Sequence, residues 1–374
     1  MDRYLGESTP KLGFGLMRLP KLEDGKIDIE QTKKMVDMFM EAGCTYFDTA
    51  YVYDKGKSEA AARAALVDRY PRESYTLCTK LNAWLGSPDE AAAKQELYTS
   101  LERTGAGYFD YYLLHAIQRN NWETYEKYGL WDFVKEQKEK GLIRNWGFSF
   151  HADPELLEQL LTDHPDVDFV QLQINYADWE NPKVASRECW EICKKHGKPV
   201  TIMEPVKGGA LADPIPAVKD LFREAAPEMS FASWAIRYAA SLDYVIAVLS
   251  GMSNIAQMQD NLSYMKDFVP LNDEEKTVIL KAQAALAADS SIPCTACHYC
   301  TEGCPMDIPI PEIFAVKRRV TGFSSAEKVK AEYASVTESH GKASECIQCG
   351  QCEGACPQQL PIISLLEQCA EMEA

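Results

Sequence analysis

The stretch Phe47-Asp48-Thr49-Ala50-Tyr51-Val52-Tyr53 decides the fold. The residues from Cys44 to Phe47 are too apolar for a loop and alternate too little for a half-exposed strand, so they read as a buried strand with Asp48 at its carboxyl end. An acid is out of place in a core, but in a barrel of parallel strands that end is where chemistry is done. Tyr53 then falls on the following loop, within reach of the barrel mouth. The plainer alternative makes Asp48 a helix cap and Tyr53 a half-buried packing residue. Further segments that end on polar residues in the same way favour the first reading.

Working outward, segment 11–20 reads as the first strand, 75–79 ends in Lys80, 111–114 in His115 and 143–148 in Ser149. Segment 168–172 carries Gln171, 199–203 leads to Glu204, and 244–249 leads to Gly251. Helical spacing fills the intervals at 31–42, 58–67, 90–103, 122–140, 154–161, 184–196 and 231–241, followed by a helix that contains Asn261. Strands alternating with helices imply parallel pairing, and eight of them imply closure into a (β/α)8 barrel of the α/β class that ends near Asp267. The expected division is a barrel over 1–270, a connecting helix and linker over 271–292, and a second, mainly helical unit over 293–374.

Composition excludes several partners. A net charge of −17 disfavours nucleic acid and anionic membrane surfaces. No apolar run approaches the roughly 20 residues of a membrane span, and the first residues carry no signal-peptide pattern, so a cytoplasmic location is expected. Of the 13 cysteines, most lie in two matching runs near the end of the chain: Cys294-x2-Cys297-x2-Cys300-x3-Cys304-Pro305 and Cys346-x2-Cys349-x2-Cys352-x3-Cys356-Pro357. Three closely spaced thiolates can take three corners of a cubane, while a fourth followed by Pro turns to the other cluster. The expected ligand sets for two [4Fe-4S] clusters are therefore Cys294, Cys297, Cys300 and Cys356, and Cys346, Cys349, Cys352 and Cys304. Structural zinc would call for neither the triplet spacing nor the Pro. The 41 residues between Cys304 and Cys346 are long for a compact two-cluster ferredoxin, and helical spacing at 313–320 and 325–333 points to the helical ferredoxin type. Cys44, Cys78, Cys189, Cys193 and Cys369 have no ligating spacing and read as packing residues.

The polar strand ends belong together. Lys80 at the end of an apolar strand needs a carboxylate, and Asp48 on the neighbouring strand is the natural partner. A cation so placed is expected to stabilise phenolate and lower the Tyr53 pKa from its ordinary value near 10, which makes Tyr53 a general acid at neutral pH. His115, one strand further, can donate a hydrogen bond to a carbonyl oxygen.

Asp48, Tyr53, Lys80 and His115, set within FDTAxxYxxGxSE (Phe47 to Glu59), Thr79-Lys80 and DYYLLH (Asp110 to His115), resemble the aldo/keto reductase family over about residues 10–267. The resemblance implies a barrel that binds NADP or NAD without a glycine-rich fingerprint, and no GxGxxG occurs here at a strand-to-helix turn. It implies Tyr53 as proton donor, Lys80 and Asp48 as its tuning pair, and His115 as the group that orients a carbonyl. It implies Ser149 and Gln171 on the nicotinamide carboxamide, Met203 beside the ring, and Glu204 to Leu211, including Val206 and Gly209, under the pyrophosphate. Gly251, Ser253, Gln257 and Asn261 would hold the adenosine end. Phe150 and Met203 depart from residues common in the family, and Gly251 and Gln257 stand where NADPH-selective members often carry a lysine and an arginine.

Barrels of this family with such a tail form a branch from anaerobic and related bacteria, which the whole chain resembles. The expected activity is carbonyl reduction or alcohol oxidation on a small molecule. The clusters would be structural or an electron relay, with a ferredoxin or other redox partner in the second case. A ferredoxin-linked reductase, with or without flavin, and a nucleotide-binding redox sensor are the alternatives. Trp84, Trp122 and Trp179 are candidates to line the substrate pocket.

Overall fold

A computed structural model of the chain describes residues 2–83, 87–288, 292–320 and 326–373. Strands β1 (Leu12–Gly15), β2 (Tyr46–Asp48), β3 (Thr76–Leu81), β4 (Phe109–Ile117), β5 (Ile143–Phe150), β6 (Phe169–Gln173), β7 (Val200–Met203) and β8 (Val245–Ser250) run parallel. β8 pairs back onto β1 and closes the barrel in sequence order. Because the strands are covered by helices outside and packed within, they read as near-continuous apolar runs. Tyr46, Cys78, Tyr111, Leu113, Phe169 and Ile246 fill the interior. Leu5 packs against that cluster while Tyr4 stacks on Tyr244 at 4.9 Å, so the first residues cover the amino end and leave the carboxyl end for a site.

Three local differences from the sequence expectation have physical causes. The helix expected over 122–140 is two, Trp122–Lys127 and Leu130–Glu139, separated at Gly129, whose φ of 58° a side chain would strain. β4 runs past Leu114, where the polar His115 ends the apolar signal, and its pairing with β5 shifts between Leu114 and Ile117. A helix over Pro216–Ala225 was not anticipated, although Pro216 in its first turn and buried Val218 and Phe222 are a readable signal. Phe222 stacks on Trp234 at 4.6 Å, and the helix Asp273–Ala287 lays Ile279 and Ala282 into the same cluster. That helix, expected as a connector, is thus part of the barrel's outer layer.

The C-terminal unit has its own small core, in which Ile313, Phe314, Tyr333, Ile362 and Leu366 join the helices Ile310–Val320, Ala326–Val336 and Ile362–Cys369. The last of these helices was not anticipated either. Ser325, the expected start of the second, lies outside the described residues. Cys44, Cys78, Cys189, Cys193 and Cys369 are buried, as packing residues would be. Among the described residues, no helix is long and apolar enough to cross a membrane.

The unit sits on the carboxyl end of the barrel. Arg18 Nη2 donates to Thr295 O at 2.9 Å and Asn120 Nδ2 to Gly354 O at 2.9 Å. Gln173 and Gln358 exchange amide hydrogen bonds of 3.0 and 2.9 Å.

Candidate active site

The loop after β2 is fixed by the residues that follow Tyr53. Ser58 Oγ donates to Leu16 O at 2.9 Å and lies 2.7 Å from Thr49 Oγ1. Glu59, fully buried, accepts from Thr79 Oγ1 at 2.7 Å and from Arg103 Nη1 at 3.2 Å. Gly56 takes φ 83°, and a Cβ there would meet the Arg103 guanidinium at 2.7 Å. The motif residues beyond Tyr53 are therefore its scaffold.

The structure brings Asp48, Tyr53, Lys80 and His115 together. Lys80 Nζ donates to Asp48 Oδ1 at 2.5 Å and to Thr49 O at 2.7 Å, and it lies 4.9 Å from the centre of the Tyr53 ring. The rings of Tyr53 and His115 meet edge to face, with centres 5.8 Å apart. The Tyr125 hydroxyl donates to the carbonyl of His115 and holds that part of β4 in place.

The Tyr53 pKa does not move as the sequence reading expected. Burial pushes the phenol well above its ordinary value, and the nearby Asp48 adds to the rise, followed by Cys78 and Glu204, against a weaker opposite pull from Arg18. Burial is the larger effect, and the Asp48 that holds Lys80 acts on the phenol in the same direction. Burial also keeps two imidazoles neutral: His115 is pushed well below its usual value, with Lys80 assisting, and His151 down to about 4. The corner offers a neutral phenol and a neutral imidazole as hydrogen-bond donors.

These groups open onto a cavity of about 550 Å³, within the range of small-molecule sites. Asp48, Tyr53 and His115 line it, and Lys80 stands behind them. Ser149, Gln171, Met203, Glu204, Val206, Gly209, Gly251, Ser253, Gln257 and Asn261 all line the same cavity. Gln171 Nε2 donates to Asp48 Oδ2 at 3.3 Å, and Ser149 Oγ accepts from the Ala116 N–H at 2.7 Å where β4 shifts register. At the far end Asn254 caps the helix Ile255–Met265, and Gln257 Oε1 accepts from Ser253 N at 2.7 Å. A helix start facing a cavity suits phosphate. Among the described lining residues, Arg18 is the sole Lys or Arg.

Sequence reasoning missed Arg18 and His151 on the barrel side, although each is a polar residue at or just past the end of a strand. It also missed Cys297, Tyr299 and Pro357, which reach the cavity from the C-terminal unit. Nothing in the linear pattern signals that meeting. Trp122 and Trp179 do not line the cavity; Trp122 packs on the main core, and Trp179 lies against Trp190 and Tyr238, with ring centres 5.6 and 5.9 Å away. Trp84 lies outside the described residues.

The eight tail cysteines fall into two groups. Cys294, Cys297, Cys300 and Cys356 line one hollow, and Cys304, Cys346, Cys349 and Cys352 another. Burial raises the thiol pKa of Cys297 to about 12 and of Cys352 to about 11, and pushes Cys294, Cys300 and Cys356 upward. Thiolates there need a strong local positive charge, which iron would supply. Among the described residues no group of three His, Cys, Asp or Glu is arranged to hold a single metal ion. Four thiols facing one hollow suit a cluster better than a zinc ion held at about 2.3 Å from each sulfur.

Comparison with known proteins agrees with both units. The model of the aldo/keto reductase family matches residues 11–283, and that of the 4Fe-4S dicluster domain matches residues 293–360. The chain is 26% identical over 294 residues to the uncharacterized oxidoreductase YqkF of Bacillus subtilis, covering 70% of this chain and 89% of that protein. The solved aldo-keto reductase AKR11C1 of Bacillus halodurans, holo form, superposes with a TM-score of 0.60 at 27% identity, over 75% of this chain and 95% of that one. An aldo-keto reductase of Klebsiella pneumoniae, solved in complex with NADPH, shares the fold with a TM-score of 0.59 at 22% identity, over 73% and 90% of the two chains.

Proposed function

Because the chain belongs to the aldo/keto reductase family, we propose that it reduces the carbonyl of a small molecule, or oxidises the corresponding alcohol, with NADP or NAD laid along the cavity. The observation that carries the reading is the corner itself: a buried Lys80–Asp48 pair beneath Tyr53, with His115 edge-on to the phenol, in one cavity with Ser149, Gln171, Glu204, Gly209, Gly251 and Asn261, which are expected to hold a dinucleotide. The dinucleotide, when bound, supplies or accepts the hydride. Tyr53 hands its proton to the carbonyl oxygen as negative charge develops there, and the neutral His115 donates a hydrogen bond that fixes the same oxygen. Lys80, anchored by Asp48, places a cation 4.9 Å from the centre of the phenol ring, where it offsets part of the cost of the charge left on it. Ser149 and Gln171 would hold the carboxamide, the segment from Glu204 to Leu211 would hold the pyrophosphate, and the capped start of the helix Ile255–Met265 would favour the adenosine phosphates. In this reading residues 1–270 carry the chemistry and residues 293–374 the clusters.

Tyr53→Phe tests it directly. Removal of the phenolic proton lowers NAD(P)H-dependent turnover of an aldehyde and ketone panel by ~10²-fold or more. Turnover near the wild-type rate would exclude Tyr53 as the donor.

One observation favours a second role for the tail. Cys297, in the first ligand group, lines the same cavity as Tyr53, so electrons can pass between a cluster and whatever is bound there. A hydride carries two electrons and each cluster would accept one, so a flavin bound in the cavity would have to split the pair, with a proton released. In an anaerobic titration, NADPH bleaches the cluster absorbance. An unchanged spectrum with NADPH and substrate present leaves the clusters a structural role.

A further inference from the structure

The C-terminal unit touches the site at its most reactive end. Tyr299 lies between Cys297 and Cys300, in the short helix Tyr299–Glu302. It lines the cavity together with Tyr53, His115, His151 and Met203. Tyr53 and His115 are the catalytic corner, so Tyr299 shares the cavity with the reacting end of the site. The loop that carries it is seated closely. Arg18 holds Thr295 O, and Gly208 packs so tightly that a Cβ would come within 2.2 Å of that oxygen.

The cations at this end are already engaged. Lys80 is occupied by Asp48 and Thr49 O, and Arg18 is held by Thr295 O with Glu204 at 4.0 Å. His115 and His151 are neutral, as described above. The surface left for the substrate is thus made of rings, a thioether and hydrogen-bond donors, and the Glu204 carboxylate beside them repels an anion, so the wall suits a flat, uncharged molecule.

Resting on the carbonyl-reductase reading, we propose that Tyr299 is a substrate-positioning residue supplied by the iron–sulfur unit, and that its ring closes the pocket around a compact, planar, uncharged carbonyl compound of the aromatic-aldehyde class. The ring, not the hydroxyl, forms the wall. Its place between two cluster ligands makes the fit of the substrate depend on the cluster.

The test measures binding without turnover. Anaerobically purified holoprotein with NADP bound is titrated calorimetrically with benzaldehyde, and iron content and NADP affinity are checked in each variant. Tyr299→Ala weakens benzaldehyde binding by ~10-fold or more, the order expected for one lost ring contact, while Tyr299→Phe stays within about twofold. Iron content and NADP affinity stay at wild-type values in both. If the alanine variant loses iron, Tyr299→Leu replaces it in the comparison and is expected to weaken binding by ~3-fold or more. Wild-type benzaldehyde affinity in the alanine or leucine variant overturns the proposal, as does a phenylalanine variant as weak as alanine. Binding of 4-carboxybenzaldehyde as tight as that of benzaldehyde overturns the uncharged class. Absence of turnover alongside the expected loss of binding counts against the carbonyl-reductase reading alone.

Discussion

Replacing Lys80 by Met probes the centre of the site with a magnitude that follows from its geometry. Nζ and Oδ1 of Asp48 are 2.5 Å apart, and the two side chains are 0% and 4% exposed. At an effective dielectric constant of about 20 their attraction is ~7 kcal/mol. Much of this offsets the cost of taking both groups out of water, so the intact pair adds little net stability. The single variant is different. It leaves Asp48 buried with only a 3.3 Å hydrogen bond from Gln171 in place of its cation, a loss of ~3–5 kcal/mol. In a protein of 374 residues each kcal/mol moves Tm by ~1–2 °C, so Lys80→Met melts ~3–10 °C below wild type. The double variant Lys80→Met, Asp48→Leu removes the stranded charge and recovers most of that loss. Turnover behaves oppositely: both variants fall by ~10²-fold or more, because neither retains the cation beneath Tyr53. The assay is anaerobic calorimetric melting, with cluster absorbance as a check on integrity, beside NAD(P)H consumption at 25 °C. A single variant that melts with wild type, or a double variant as unstable as the single, would refute the account of the pair. A double variant with full activity would refute its role in catalysis.

Two further outcomes follow from the same residues. His115 has its pKa pushed well below 6.5 and Tyr53 well above 10, so the imidazole is neutral above its lowered value and the phenol protonated below its raised one. kcat/KM is therefore level from about pH 6 to about pH 9; an acid limb centred near 6.5 contradicts the neutral imidazole, and a basic limb near 7–8 the protonated phenol. Gln257→Arg places a guanidinium where Gln257 now accepts from Ser253 N, and it raises the preference for NADPH over NADH by ~10-fold, read as the ratio of the two Kd values; an unchanged ratio means that the 2′-phosphate lies elsewhere.

Much of the barrel side of the site was legible because its residues do two jobs that leave a linear trace. Asp48, Lys80 and His115 each interrupt an apolar strand at its carboxyl end, and a polar residue there is costly unless it has a partner. Tyr53 was found from its place on the loop after Asp48, and the glycine, serine and glutamate of the motif that follow it brace that loop. The two cysteine groups were legible because cubane ligation fixes spacing. What failed to show is what depends on three-dimensional meeting. The Tyr53 pKa turned on burial and on Asp48, not on Lys80 alone. Tyr299 sits among cluster ligands in sequence and beside Tyr53 in space, and no periodicity links positions so far apart. The break at Gly129 was missed because apolar spacing continues through it, and the helix Pro216–Ala225 because it adds to the alternation that the barrel requires.

The seat of Thr295 against Gly208 joins the loop between two expected cluster ligands to the strap beside the active site. If that loop is ordered by its cluster, air reaches the pocket by way of the metal. A bleached preparation would then keep its barrel and lose one wall of the chamber, and selectivity recorded from it would describe an opened vessel.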